Sequence, residues 1–254
     1  ISYLNYADRL NQLPLSVIGV AVSTALLPIL SRQIRSGAWK NAHQTQSQAL
    51  EFSMFLTLPA ALALIFLAEP FVMMVFERGA FTAYDTAATT LTLQALAVGL
   101  PAYVLIKVFS SNFFARQDTL TPVYTACVGI IVDIGLSVAL MDSFHQVGIG
   151  FATAVAGWVN ALLLGYILWY KGHLCFDNRL RKFTSRMVLT SGGTIVLLKS
   201  LQFLVKPLFL KGELMRDISI TGLIGFGFLG FLFLAHLMGA MKFRELKHMF
   251  IART

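Results

Sequence analysis

The chain has 254 residues, of which 57% are hydrophobic and only 13% are charged. A soluble domain carries about 25% charged residues, so this composition excludes an ordinary soluble protein and predicts an integral membrane protein. The net charge of +8 does not indicate nucleic-acid binding, because the basic residues are spread between apolar segments instead of being gathered on a polar domain.

Seven apolar segments follow one another along the chain. Most of them reach the ~20 residues that a helix needs to cross ~30 Å of hydrocarbon. We therefore predict an all-α integral membrane protein with about seven transmembrane helices. The polar linker that precedes the second span is also predicted to be helical. The segments cover residues 2–30, 53–68, 84–110, 122–141, 149–170, 183–205 and 217–240.

Local signals predict where several helices begin and end. Thr82, followed three residues later by Asp85, predicts a capping box at the start of the third span. Thr121 before Pro122 predicts an N-cap at the start of the fourth span. The stretch "EPFVMMVFERG" after the second span predicts a short surface helix that ends at Gly79.

Lysine and arginine residues between the spans are distributed unevenly. Thirteen fall on one side of the predicted membrane and four on the other. The positive-inside rule places the richer side in the cytoplasm, so the C-terminus is predicted to be cytoplasmic and Ile1 to lie outside. A chain that starts outside, and with Ile instead of Met, is expected to be a fragment preceded by an odd number of spans or by a signal peptide.

The first span carries a stripe of polar and small residues that recur at alternating steps of three and four. This spacing places them on one face of a helix. Such a stripe is expected to line a water-filled cavity or a polar helix contact instead of facing lipid. Pro14 is expected to kink the same helix. The stripe consists of Ser2, Asn5, Arg9, Gln12, Ser16, Gly19 and Ser23.

Arg9 is the main candidate for ligand binding in this stripe. A charged arginine inside the bilayer costs about 2.5–3.5 kcal/mol by the lower estimates, and it is tolerated when it faces water or holds an anion. Its planar guanidinium suits phosphate oxygens, and Asn5, Asp8 and Gln12 are the neighbouring candidates. Two alternatives are that Arg9 snorkels to the outer interface or is neutralised by Asp8. Lys107 in the third span either faces the same cavity or snorkels to lipid headgroups.

A second candidate site is centred on Asp133, near the middle of the fourth span. Ser137 lies one turn later on the same face, and Thr153 in the fifth span is placed to approach both. A carboxylate with hydroxyl oxygens can bind a proton or a small hard cation. The alternative is a protonated or paired aspartate that holds helices together.

Catalytic signatures are absent from the sequence. There is no H-E-x-x-H or G-x-S-x-G motif, no P-loop and no glycine-rich dinucleotide turn. We therefore expect a protein that is not an enzyme.

Three stretches carry a specific resemblance to a known family. "YADRLNQLPLSVIGVAVSTALLPILSR", "FERGAFTAYDT" and "KVFSSNFFARQDTLTPV" resemble, in order and spacing, hallmark segments of the MurJ (MviN) lipid II flippase family. This family is part of the multidrug and oligosaccharidyl-lipid exporter superfamily. Its members have fourteen spans, in two six-helix lobes plus two C-terminal helices, and this chain resembles the last seven.

The resemblance implies a domain organisation and a function. Residues 1–172 would form part of the C-terminal lobe, and residues 173–254 the two last helices with a basic cytoplasmic tail. The implied activity is movement of lipid II, the undecaprenyl-pyrophosphate-linked peptidoglycan precursor, across the bacterial inner membrane. The missing N-terminal half and membrane lipid would be partners. Arg9 matches a headgroup-binding arginine of the family, and the last two helices match its groove for the lipid tail.

The resemblance also bears on the second candidate site. Some relatives bind a cation in the C-terminal lobe, which suits Asp133 and Thr153, and a monovalent cation is then a candidate coupling ion. An amide or a second acid is expected nearby, and Ser137 is a weaker ligand. Two other functions are compatible with the sequence: a cation-coupled drug or polysaccharide exporter of the same superfamily, and a membrane scaffold for cell-wall synthesis that transports nothing.

Overall fold

The computed structural model describes residues 2–77, 79, 81–174, 178–205 and 213–239, without the side chains of 178–181, 205 and 213–217. Every regular element in these ranges is helical. The π-helical turn Ser16–Val20 joins the first two α-helices. The α-helices are α1 (Ser2–Leu15), α2 (Ala21–Arg35), α3 (Trp39–Phe66), α4 (Ala68–Phe76), α5 (Ala83–Ala97), α6 (Leu100–Ala115), α7 (Leu120–Tyr170), α8 (Asn178–Val205) and α9 (Glu213–Leu237).

Six stretches of the described chain are helical, long and apolar enough to cross a membrane. The fourth of them, α7, is 51 residues long, which is more than twice the length that one crossing needs. Its backbone leaves helical geometry at His145, where φ is 49° and ψ is −131°. Because α7 kinks at this residue, it holds two of the predicted spans, and the prediction of about seven transmembrane helices is confirmed.

The chain divides into two compact units, residues 1–175 and 176–254. The first unit holds α1 to α7. Within it, α1 packs along α5, and α6 packs against α2, α3 and α7. Leucine side chains from α1, α3, α5 and α6 form a common core, among them Leu10, Leu64, Leu93 and Leu100. This core fixes which face of α1 is turned away from the other helices.

The second unit contains the helix pair α8 and α9, which pack against each other. Their contact depends on glycine, because a Cβ atom at Gly227 would lie 2.6 Å from Cδ2 of Leu198. Arg186 Nη1 donates a hydrogen bond of 2.6 Å to the carbonyl oxygen of Gly239, just after the end of α9. The basic tail beyond residue 239 lies outside the described residues.

The predicted capping box at the start of α5 is confirmed. The Thr82 N–H donates to Asp85 Oδ2 at 2.7 Å, and the Asp85 N–H donates to the Thr82 hydroxyl at 3.4 Å. The predicted N-cap at Thr121 is wrong, because α7 already begins at Leu120. The N-cap residue is Thr119, which makes no side-chain cap hydrogen bond, and Asp118 before it accepts a 3.0 Å hydrogen bond from the Thr121 N–H.

Two further expectations concern the first unit. The short helix α4 forms within the predicted stretch but ends at Phe76 instead of Gly79. One of its faces, with Ala68 and Val72, is fully buried in the core, whereas Glu69 and Val75 are exposed. The polar linker before the second span is helical, as predicted, and is continuous with α3, which passes through Pro59. After Pro14, the backbone widens into the π-helical turn, and such turns are common at functional sites.

Candidate functional site

The polar stripe of the first span lies on the exposed face of α1. Asn5, Arg9 and Gln12 are exposed, whereas Ala7 and Leu10 on the opposite face are buried in the core. The periodicity of the sequence therefore separates one polar surface from one packing surface along the same helix. Ser16 extends the exposed stripe into the π-helical turn.

Arg9 has no hydrogen-bond or ion-pair partner among the described residues. The neighbouring carboxylate of Asp8 accepts a hydrogen bond from Gln12 Nε2, one helical turn further along. Asp8 is therefore engaged by the amide of Gln12 and not by the guanidinium of Arg9. The arrangement leaves the planar donor fork of Arg9 free for an anionic ligand.

Lys107 on α6 lies beside the same stripe. It is exposed, and its Cγ atom would be 3.5 Å from a Cβ atom at Gly19. The aliphatic part of Lys107 therefore packs close to Gly19, which is buried at the π-helical turn although it belongs to the predicted stripe. A second cation therefore borders the surface that carries Arg9.

The N-terminal end of α1 is held by contacts to the beginning of α5. The Tyr3 hydroxyl donates a 2.6 Å hydrogen bond to Asp85 Oδ1, the same carboxylate that caps α5. The Tyr6 ring packs against Phe76 at 4.9 Å and against Phe81 at 5.6 Å between ring centroids. These contacts set the rotation of α1 and thus the direction in which its polar stripe points.

The second candidate site brings together Asp133 and Thr153, as the sequence predicted. The Thr153 hydroxyl lies 3.2 Å from Asp133 Oδ1 and 3.0 Å from the carbonyl oxygen of Ile149. Ser137 lies one turn along the same helix and is half-buried, and no hydrogen bond of its hydroxyl is found in the described part of the chain. The described residues contain no cluster of three His, Cys, Asp or Glu side chains, so the oxygen donors here are one carboxylate and neighbouring hydroxyls.

The structure adds an amide that the sequence analysis missed. The Asn160 side chain packs over Gly129, where a Cβ atom would lie 3.4 Å from Cβ of Asn160. Gly129 is one helical turn before Asp133, and the Asn160 Oδ1 atom is buried without a hydrogen-bond partner. The position of Asn160, two turns after Thr153 on the same helix face, was the signal available in the sequence.

Tyr103 on α6 is the other residue that the sequence analysis missed. Its ring fills a notch made by Gly157, where a Cβ atom would lie 2.5 Å from Tyr103 Cε1. Its hydroxyl is buried without a hydrogen-bond partner among the described residues.

Comparison with known proteins agrees with this architecture. A family model described as the lipid II flippase MurJ matches residues 1–216. A probable lipid II flippase MurJ of Rhizobium meliloti (strain 1021) is 42% identical over 226 residues, which cover 88% of this chain and 42% of that protein. A probable lipid II flippase MurJ of Vibrio cholerae serotype O1 is 32% identical over 248 residues, covering 97% and 47% of the two chains.

A solved structure shares the fold as well as the sequence pattern. It is described as the lipid II flippase MurJ in an inward closed conformation, and it superposes with a TM-score of 0.75 at 28% sequence identity. The match covers 97% of this chain and 48% of that structure, so the chain spans less than half the length of these relatives. The described part of the chain has six helical stretches long and apolar enough to cross a membrane, and the longest of them is kinked into two. Because the family model also matches residues 1–216, the chain belongs to the MurJ lipid II flippase family.

Proposed function

We propose that this chain is the C-terminal half of a flippase that moves lipid II across the bacterial inner membrane for peptidoglycan synthesis. The relatives that it matches are themselves described as probable lipid II flippases. Arg9 carries the proposal, because it is an exposed guanidinium without a partner among the described residues, on a membrane-crossing helix. Such a group is costly in lipid and favourable against a pyrophosphate.

The polar stripe suits the headgroup of this substrate. A pyrophosphate cannot cross hydrocarbon unaided, since it would lose its hydration. Arg9 offers a bidentate donor fork, and Asn5 and Gln12 add amide groups that can hydrogen-bond sugar and phosphate oxygens. Lys107 adds a second positive charge at the π-helical turn. The exposed stripe can therefore replace water around the headgroup during its passage.

The lipid tail and the second half of the transporter complete this mechanism. The prenyl tail stays in the apolar part of the membrane, and the helix pair α8 and α9 is the proposed site for it. An N-terminal lobe, supplied by the rest of the full-length protein, closes the cavity from the opposite side. Rocking of the two lobes then exposes the stripe to each side of the membrane in turn.

Reconstitution into vesicles tests this proposal. The full-length protein is expected to move a fluorescent lipid II analogue between leaflets, whereas residues 1–254 alone are expected not to, because alternating access needs two lobes around one site. Empty vesicles and vesicles with a lipid-linked analogue that lacks the pyrophosphate are the controls. Equal movement of both analogues would contradict recognition of the headgroup.

We further propose that Asp133, Ser137 and Thr153 form the site of a monovalent coupling cation, with the amide of Asn160 as a neighbouring oxygen donor. The carboxylate and hydroxyl oxygens that would hold it lie 3.2 Å apart, and Asn160 carries an unpartnered amide oxygen near Gly129. Hard cations prefer such oxygen ligands. Asp133→Asn is expected to abolish the cation dependence of transport and Ser137→Ala to weaken it. The control Asp142→Asn, which changes an exposed carboxylate of the same helix, is expected to leave it nearly unchanged. A cation dependence that persists in Asp133→Asn leaves the aspartate with a structural role only.

We also propose that the C-terminus faces the cytoplasm. The asymmetry of thirteen to four basic residues supports this orientation. A cysteine introduced at residues 173–182 is expected to be shielded from a membrane-impermeant thiol reagent in intact cells, and one at 209–215 to be labelled. The opposite labelling pattern would reverse the orientation.

A further inference from the structure

The ends of α3, α6 and α7 meet in a cationic junction that the transport mechanism does not use. Its basic groups come from three separate parts of the chain: His43 on α3, Arg116 at the end of α6, and Lys171 and His173 after α7. This junction is defined here by His43, Gln46, Arg116, Lys171 and His173. It lies at the opposite end of the helices from the Tyr3–Asp85 contact.

Arg116 is the central cation of the junction. Its guanidinium carbon lies 5.6 Å from the ring centroid of Trp39, and its Nε donates a 2.8 Å hydrogen bond to Asn112 Oδ1. These two contacts orient the guanidinium plane and leave its terminal nitrogens without a partner in the described part of the chain. Arg116 is half-buried, and burial lowers its pKa. Its charge is therefore partly shielded from water, and no described carboxylate is paired with it.

Asn112 connects this guanidinium to Gln46, and several buried polar atoms of the junction have no partner. Gln46 is only 1% exposed, and its Oε1 accepts a hydrogen bond from Asn112 Nδ2 while its Nε2 donor has no partner. The Nδ1 atoms of His43 and His173 are buried and unpaired as well. Unsatisfied buried groups of this kind cost free energy unless a ligand or water meets them.

The nearby carboxylate does not neutralise the junction. Asp118 Oδ2 forms a 2.8 Å ion pair with Lys171 and accepts a 2.8 Å hydrogen bond from the Thr121 hydroxyl. Its Oδ1 is taken by the Thr121 N–H. Because both oxygens of Asp118 are used in this way, no carboxylate of the described residues forms an ion pair with Arg116.

We propose that the cationic junction binds a phosphate group through Arg116, with Gln46, His43 and His173 as further donors. A tetrahedral oxyanion presents several acceptor oxygens, which match a guanidinium fork and surrounding N–H groups. The group comes either from free inorganic phosphate or from a phospholipid headgroup, since both carry the same oxyanion. The site is separate from the polar stripe of α1 and does not depend on the proposed transport function.

The titration of His173 supports this assignment. Burial, together with Arg116, Lys171 and His43, lowers the pKa of His173 to about 4, and Asp118 raises it only partly. Burial is the main cause of this low pKa, and the surrounding positive charges of Arg116, Lys171 and His43 lower it further. An anion bound in the junction is expected to raise this pKa towards its ordinary value of 6.5.

The test measures binding of radiolabelled inorganic phosphate to the full-length protein by equilibrium dialysis, in uncharged detergent at constant ionic strength. All variants carry Arg9→Ala, so that the proposed substrate site does not contribute. Arg116→Gln is expected to weaken binding at least about tenfold, because a charge-assisted contact is lost. The matched control Arg32→Gln removes an exposed cation of α2 and is expected to bind phosphate like its parent.

Further measurements separate the sources of the phosphate group and control for folding. A short-chain phosphatidylglycerol that displaces the label identifies a headgroup site, and label that resists it identifies a site for free phosphate. Arg116→Lys keeps the charge without the planar fork, so it is expected to bind phosphate with intermediate affinity. It replaces Arg116→Gln as the test variant if Arg116→Gln does not fold. Absence of saturable binding, or equal affinity in Arg116→Gln and Arg32→Gln, would overturn the proposal.

Discussion

Replacement of Arg9 by alanine separates a role in substrate binding from a role in folding. The Arg9 side chain is exposed, projects from the polar face of α1, and has no partner among the described residues. Its removal takes no packing contact out of the core. We therefore expect the free energy of unfolding to change by no more than about 0.5 kcal/mol, which is typical of surface substitutions.

The expected loss is in affinity for the headgroup. A hydrogen bond to a charged group contributes about 1.5–3 kcal/mol, and 1.4 kcal/mol is a factor of about ten. Loss of one such contact is thus expected to weaken binding of a pyrophosphate headgroup by between about ten- and a hundredfold. Arg9→Lys keeps the charge but not the planar fork, so it is expected to recover only part of this loss.

The assay uses cell growth as the readout of transport and compares it with the amount of each variant in the membrane. Full-length Arg9→Ala, Arg9→Lys and the control Arg32→Ala are expressed in cells depleted of their own flippase, and growth is measured beside the amount of protein in the membrane. The purified variants are then compared for binding of a soluble lipid II headgroup analogue.

Two results would refute the reasoning. Normal growth of Arg9→Ala at normal abundance would show that Arg9 does not bind the substrate, and a scaffold that transports nothing would then gain support. A sharp drop in membrane abundance would show instead that Arg9 contributes to folding, against the exposure of its side chain.

Two further predictions concern the fold. Asp118→Asn is expected to destabilise the protein by at most about 1 kcal/mol at pH 7, since the ion pair with Lys171 is partly exposed. That ion pair lowers the pKa of Asp118 from 3.8 to about 2, so the stability that it contributes is lost as pH falls through this interval. If the difference in unfolding temperature between the parent and Asp118→Asn stayed constant down to pH 2, the stabilising role of the ion pair would be contradicted. Gly157→Ala is expected to cost about 1–3 kcal/mol, because the new Cβ would meet the Tyr103 ring at 2.5 Å, whereas the control Gly135→Ala has open space and is expected to be neutral or slightly stabilising in thermal unfolding.

The membrane spans and the polar face of the first helix were predictable because both depend on local sequence. Hydrophobic length determines which segments can cross a bilayer, and steps of three and four determine that Asn5, Arg9 and Gln12 share a face. The capping box at Thr82 and Asp85 is local in the same way, since both partners lie within one helical turn. The N-cap of α7 was mispredicted because the helix begins earlier, at Leu120, so the Thr121 N–H already lies in the first turn and donates to Asp118.

Contacts between helices could be predicted only where the sequence placed two helices next to each other through a short loop. Thr153 was expected near Asp133 because the loop between the two spans is short. Neither the amide of Asn160 nor the ring of Tyr103 was anticipated, because their surroundings depend on helix rotation. Small residues set that rotation because neighbouring side chains can pack closely against them. Gly157 is an example, since a Cβ atom there would lie 2.5 Å from the Tyr103 ring.

The sequence by itself thus determined that the protein crosses the membrane about seven times and carries an arginine on a polar helix face. Only the tertiary structure decided that Lys107 lies against Gly19 beside that face. The same holds for the junction in which Arg116 meets the helix ends that carry Gln46, His43 and His173, each with a buried nitrogen that has no partner among the described residues. The reason is physical: hydropathy and helical period are properties of a single continuous segment. The neighbours of a buried polar group, in contrast, are set by the packing of helices distant in the chain, which no single segment encodes.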